Sequence, residues 1–299
     1  MSPSLSFGPV DVYLGEKSGK YPDGNQVLVR GADTLAAFDT PLVANRIGAA
    51  LEAADLVILG HVHEDHVAGL HRLPRARVLA PLGDLEAMRS WEGLARHYGY
   101  ASAVLPAMKA KIERQFHYVA RPDAEGYGHD ALWELGGGVT VRALHMPGHT
   151  SGHSVLLVEP GGVAFIGDID LSSFGPYYGD ATSNLEAFRR TLRAVAEVPA
   201  RVWITSHHKG VITERETFLS LLEAFASRIE AREEAIAAHL AEAGPRALEE
   251  LVAHRFMYPR DYHDVFIDDA ERRTIAQHLA SLAARGRVAE EDGRYRLAA

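Results

Sequence analysis

The sequence predicts a layered α/β fold that carries its chemistry at strand ends. Short apolar runs repeatedly give way to loops, with helical segments between them, and four of those strand ends deliver histidine or aspartate. From Pro245 onward the pattern changes. That shift predicts a catalytic domain over residues 1–243 and a small accessory domain of winged-helix type over residues 244–299.

Val10-Asp-Val-Tyr-Leu alternates apolar with polar residues and Gln26-Val-Leu-Val-Arg does so loosely, so both read as strands. Thr34 to Phe38 leads into Asp39-Thr-Pro, a turn signal, and Val43 to Ala54 has helical composition. Leu56-Val-Ile-Leu is long enough only for a buried strand, and it empties directly into His61. Residues 84–115 read as helical, with apolar positions at helical spacing between Leu85 and Met108. Leu132-Trp-Glu-Leu, a Gly136-Gly-Gly turn and Val139 to Leu144 make a hairpin. Ser154 to Val158 and Val163 to Ile166 are buried strands joined by Pro160-Gly-Gly.

Ser183 and Glu186 have the spacing of a capping box that opens one helix, and Thr213 and Glu216 that of a second. Arg201 to Thr205 is a strand between them, and Gly244-Pro245 ends the second helix. The tail reads as a helix (Ala247 to Arg255), an irregular Tyr258-Pro-Arg-Asp-Tyr link, a helix (Asp269 to Arg285) and a short hairpin through Gly293.

Composition narrows the function classes. Of the 299 residues, 47% are apolar and 24% charged, a globular balance with enough chain for a large core. The run from Ala49 to Gly60 is broken by Glu52 and Asp55, and no segment approaches the roughly 20 apolar residues of a bilayer span. The N-terminus lacks the basic start and apolar stretch of a signal peptide, so a cytoplasmic location without membrane association is expected. There is no cysteine, so any metal must be held by nitrogen and oxygen. The formal charge of −9 argues against general binding of nucleic acid or acidic membranes.

The strongest signal is Gly60-His-Val-His-Glu-Asp-His-Val-Ala-Gly69. His61 and His63, two apart after a buried strand, turn to one side of an extended loop. Asp65 and His66 add a carboxylate and a third imidazole, a donor set that suits zinc, iron or manganese. Glu64 faces the other way in this reading, as a solvated residue or a support for the ligands. His149 follows a Pro-Gly turn, Asp168 ends an apolar strand after a glycine, and Trp203-Ile-Thr-Ser ends in His207 and His208.

Together these motifs resemble the metallo-β-lactamase superfamily in order and approximate separation, over about residues 9–215. Asn25-Gln-Val-Leu-Val and Phe38-Asp-Thr are similar to that family's opening hairpin, and the tail resembles the winged-helix unit of a lactamase-like branch. The resemblance implies a four-layer αββα sandwich. It also implies two divalent ions, zinc before iron or manganese. His61, His63 and His149 would hold the first ion, and Asp65, His66 and His207 the second, with Asp168 bridging and His208 as the alternative to His207.

The activity implied is hydrolysis of a small ester, thioester or lactone by hydroxide shared between the two ions, with Asp65 and Asp168 as catalytic carboxylates. Asp65 would also take up the released proton. An RNA-cleaving phosphodiesterase and a non-hydrolytic di-iron protein are the alternatives. Tyr177, Tyr178 and Lys209 are candidates for substrate contact. His153 is expected to hydrogen-bond beside the site without touching metal. The tail carries nine arginines, no lysine and ten acidic residues. That balance favours a wall beside the groove, or a contact with a second copy in a homo-oligomer, over a nucleic-acid reader.

Overall fold

The computed structural model describes residues 1–298. The first sheet sets β1 (Leu5–Phe7), β2 (Val10–Tyr13), β3 (Gln26–Arg30), β4 (Leu35–Phe38), β5 (Leu56–Ile58), β6 (Arg77–Pro81) and β7 (Glu125–Tyr127) side by side in chain order. Its first four strands are antiparallel, and the pairs from β4 to β7 are parallel. The second sheet holds β8 (Leu132–Gly136), β9 (Val139–His145), β10 (Ser154–Glu159), β11 (Val163–Phe165), β12 (Val202–Ile204) and β13 (Val211–Ile212). Only its β11–β12 pair is parallel.

The period of two along each strand sorts the residues into layers. Val27, Val29, Ala36, Phe38 and Ile58 turn inward to meet Val141, Leu156, Val158, Phe165 and Ile204 of the facing sheet. Their neighbours Leu28, Ala37 and Val57 turn outward beneath α1 (Ala44–Ile47), α2 (Ala49–Glu52), α3 (Leu85–Arg89), α4 (Trp91–Tyr98) and α5 (Leu105–Phe116). On the far side, Val155, Leu157, Ala164 and Trp203 pack under α6 (Leu185–Val195) and α7 (Arg215–Ala243). The result is the expected αββα order, with three apolar interfaces.

Several predicted helices have different bounds, for local reasons. The segment over 43–54 is two short helices separated at Gly48, whose φ of 76° lies outside helical space. The segment over 84–115 is three helices. Ser90 caps α4 by accepting from the Gly93 amide, and left-handed Gly99 closes it. Neither expected capping box forms. Asn184 caps α6 through the Ala187 amide, which frees Ser183 to donate its hydroxyl to the His149 carbonyl at 2.6 Å. Glu214 precedes α7 and makes no side-chain cap.

Beyond α7 lie β14 (Arg246–Ala247), α8 (Leu248–His254), α9 (Ile267–Ala284), β15 (Val288–Glu291) and β16 (Arg294–Leu297). The three strands form a sheet in the order β14-β16-β15. Ile236 and Leu240 of α7 enter the same apolar cluster as Leu251, Ile275, Leu279 and Val288. Arg273 of α9 donates to the carbonyls of Tyr98, Gly99 and Gly179, which ties the tail to the end of α4 and the segment before α6. Among the described residues no helix is long and apolar enough to cross a membrane.

Candidate metal centre

Four strand ends open on one edge of the sandwich. β5 leads into His61 and His63, and a 3-10 turn over Glu64–His66 then presents Asp65 and His66. His149 lies between β9 and β10, Asp168 follows β11, and His207 lies between β12 and β13. The Pro147-Gly148 turn that sets His149 requires glycine. At φ +139° a side chain is strained, and a Cβ there would lie 2.3 Å from the Phe188 backbone.

Three imidazole nitrogens converge. His61 Nε2 is 3.2 Å from His63 Nδ1, and His149 Nε2 is 3.2 and 3.1 Å from those two atoms. Asp168 Oδ2 completes this group at 3.3 Å from His149 Nε2. Its other oxygen, Oδ1, lies 3.1 Å from His66 Nε2 and 3.6 Å from His207 Nε2. Asp65 Oδ2 is 3.0 Å from His207 Nε2. His61, His63, His149 and Asp168 therefore form one possible ligand group, and Asp65, His66 and His207 another, each with donor atoms within 4.8 Å of one another.

His66 Nε2, His207 Nε2 and Asp168 Oδ1 are buried and make no aligned hydrogen bond. Orphaned polar atoms of this kind are costly in a folded interior, and a shared cation would satisfy all three. With no thiolate in the chain, the nitrogen and oxygen donors fit zinc, iron or manganese.

The reverse side of four of the five rings is anchored, while His61 Nδ1 is buried without a hydrogen-bond partner. His66 Nδ1 donates to Asp39 Oδ2 at 2.7 Å, His149 Nδ1 to the Tyr177 carbonyl at 3.0 Å, and His207 Nδ1 to the Gly19 carbonyl at 2.8 Å. His63 Nε2 donates to Asp180 Oδ2 at 2.8 Å, and Asp180 Oδ1 accepts from Tyr100 and Tyr177. Each anchor selects the tautomer that leaves the other nitrogen bare toward the cluster.

Burial and the neighbouring charges act on these groups in opposite directions. Burial opposes ionisation of Asp168, yet His66, His207 and His149 outweigh it and hold the carboxyl well below its usual range. Burial also opposes the charged form of His207, but Asp168 and Asp65 raise it to about 9. Burial takes the His149 ring down to about 3 and the His153 ring to about 4. His153 accepts from the Asp168 amide at 3.2 Å and donates to the Met146 carbonyl, so it braces the Asp168 turn from outside the cluster.

A cavity of about 660 Å³ opens over the cluster. Tyr177 and Lys209 line it. Tyr178 does not, which corrects that expectation: it is fully buried, with its hydroxyl between His278 at 2.8 Å and Arg232 at 3.0 Å. Glu64 is not solvated either. It is buried, and Tyr98 and Tyr21 donate to its carboxylate at 2.5 and 3.3 Å. His208, in left-handed backbone at φ 61°, turns away from the cluster toward Asp170 at 3.7 Å.

Asp39 and Asp180 were missed as anchors. Asp39 carried a signal, its place at a strand end before a turn. Asp180 carried none, because 117 residues separate it from His63. The tail residues Tyr258, Tyr262 and Phe266 also line the cavity, which their spacing did not announce.

Residues 31–223 match the family model described as the metallo-beta-lactamase superfamily. Among solved structures, a metallo-beta-lactamase family protein from Thermus thermophilus is similar at a TM-score of 0.70 and 25% identity, covering 97% of this chain and 99% of that one. A beta-lactamase domain protein from Burkholderia ambifaria gives 0.67 and 19%, covering 99% and 94%. An archaeal superfamily protein from Sulfolobus tokodaii gives 0.50 and 18%, covering 69% and 80%. No curated protein matches the chain.

Proposed function

The chain belongs to the metallo-β-lactamase superfamily and is a metal-dependent hydrolase, and we propose that it cleaves a small ester, thioester or lactone with a pair of divalent ions, zinc first among them. His61, His63 and His149 would hold one ion and Asp65, His66 and His207 the other, with Asp168 between them. Divalent ions in such a site supply Lewis acidity toward a carbonyl oxygen and water of lowered pKa at neutral pH.

The chain's own groups do the remaining work. Asp180, Asp39, Gly19 and Tyr177 keep the ligand rings in register through the hydrogen bonds on their far sides. Asp65 is held ionised against its burial by His66 and His207. With Oδ2 turned to His207 at 3.0 Å, its Oδ1, 3.8 Å from His66 Nε2, would take up the proton released in the reaction. Tyr98, Tyr100 and Phe266 exclude water along one wall.

The observation that carries the substrate reading is the cavity itself. Its volume of about 660 Å³ matches a small molecule, and the tail closes it with aromatic side chains rather than a basic groove. The test is a panel of thioesters, lactones, aryl esters and labelled RNA, run on metal-loaded and chelator-treated protein. Turnover of an acyl substrate, abolished by chelator and restored by metal, is expected. RNA cleavage without acyl turnover, or turnover indifferent to chelation, would overturn the reading.

A further inference from the structure

The cavity has two chemically different sides, and they lie on opposite flanks of the metal-ligand cluster. On the His63 flank, aromatic rings form a column. Tyr98 stacks on His63 (5.8 Å between centroids, 17° between planes), Tyr100 on Tyr98 (5.1 Å, 6°) and Phe266 on Tyr100 (6.0 Å, 18°). The column ends in the tail, where Tyr258 packs on Phe174 at 5.4 Å. This wall offers a large apolar area, and the cations beside it are already engaged: Lys111 over the Phe266 ring pairs with Asp264, and Arg232 over the Phe174 ring donates to the Pro176 and Phe174 carbonyls.

The His207 flank is cationic. The bond from His207 to the Gly19 carbonyl brings the neighbouring Lys20 to the rim, and the chain beyond His207 continues through His208 to Lys209. Both lysines are exposed, both line the cavity, and among the described residues neither makes an ion pair. Besides the ligand carboxylates, Glu64 and Asp170 line this part of the cavity; Glu64 accepts from Tyr21 and Tyr98, and Asp170 faces His208. Two exposed like charges held in no ion pair at the mouth of the cleft put a positive rim there, which draws anions.

We propose that the cavity takes an acyl compound bearing a carboxylate or phosphate, its anion bound by Lys20 and Lys209 and its apolar part laid against Phe266 and Tyr258. The proposal rests on the hydrolytic reading above for the scissile group, which would lie between the two sides.

The test uses thioether analogues, which have no bond to break, so it reads binding whether or not the protein hydrolyses acyl compounds. Analogues with one apolar chain and a carboxylate, a phosphate or a neutral amide at the end are titrated calorimetrically into the metal-loaded protein. The charged analogues are expected to bind about tenfold or more tightly than the amide, a preference that shrinks as salt rises. The stronger of the two anions identifies the group recognised. Lys20→Ala/Lys209→Ala should erase the preference. Lys109→Ala, which removes an ammonium near Trp91 outside the cavity, should keep it. A glycol chain of equal length should bind more weakly than the apolar one. Equal binding of charged and neutral analogues, or a preference undiminished in the double variant, would overturn the anion site. Equal binding of glycol and apolar chains would overturn the aromatic half.

Discussion

His63 is gripped from both ends: Nε2 donates to Asp180 Oδ2 at 2.8 Å, while Nδ1 lies 3.2 Å from His61 Nε2 and 3.1 Å from His149 Nε2. The carboxylate selects the tautomer and so decides which nitrogen is offered to a metal. Burial opposes the charged ring, and the Asp180 hydrogen bond and charge outweigh it, raising His63 to about 9.

Asp180→Ala removes that selection and leaves the Tyr100 and Tyr177 hydroxyls without their acceptor. Metal affinity is expected to fall about 10–100-fold, with Asp180→Asn intermediate. Competition with a chromogenic chelator measures it. Unchanged affinity would show that His63 is oriented by packing alone.

Asp168→Ala strips the carboxylate that faces both ligand groups. Bound metal is expected to drop from two per chain to one or fewer, with activity down about a hundredfold or more. Elemental analysis beside a far-UV spectrum checks both, since the fold should persist. Two tightly held ions in the variant would rule out the bridge.

Gly148→Ala should be costly although glycine and alanine differ by one carbon. The new Cβ would sit 2.3 Å from the Phe188 Cα, in a backbone conformation that L side chains rarely adopt. A loss of about 3 kcal/mol or more, or an expelled His149 loop with weakened metal binding, is expected. Thermal melts with and without zinc distinguish the two outcomes.

Acid should unfold the metal-free protein partly through His153. Burial lowers its pKa from 6.5 to about 4. Above pH 6.5 the ring is neutral in both states, and its contribution is complete. As pH falls below 6.5 the unfolded chain binds a proton that the fold refuses, so stability declines by about 3 kcal/mol toward pH 4. His207, raised to about 9, acts in the opposite sense. Its stabilisation is complete below pH 6.5 and is lost as pH climbs through 9. Urea titrations from pH 4 to 10 should therefore show a maximum near neutrality, and His153→Gln should flatten the acid limb. An acid limb identical in wild type and variant would contradict this account.

Much of this protein was legible in its sequence because local rules govern it. Continuous apolar runs such as Val27–Val29 must be buried on both faces, and His61, His63, Asp65 and His66 sit close together whatever the rest of the chain does. The absence of cysteine likewise restricted the donors to nitrogen and oxygen. Helix ends were less legible, since competing partners decide them: Ser183 abandons its cap for the His149 carbonyl, and Asn184 takes its place.

The remaining choices belonged to tertiary structure. Only folding sets Asp180 against His63, turns Tyr178 into a buried contact with Arg232 and His278, and carries Phe266 across to Tyr100. These pairs lie between 54 and 166 positions apart in the chain. No periodicity or motif reaches that far, because such contacts follow from how whole layers stack and not from which residues are neighbours along the backbone.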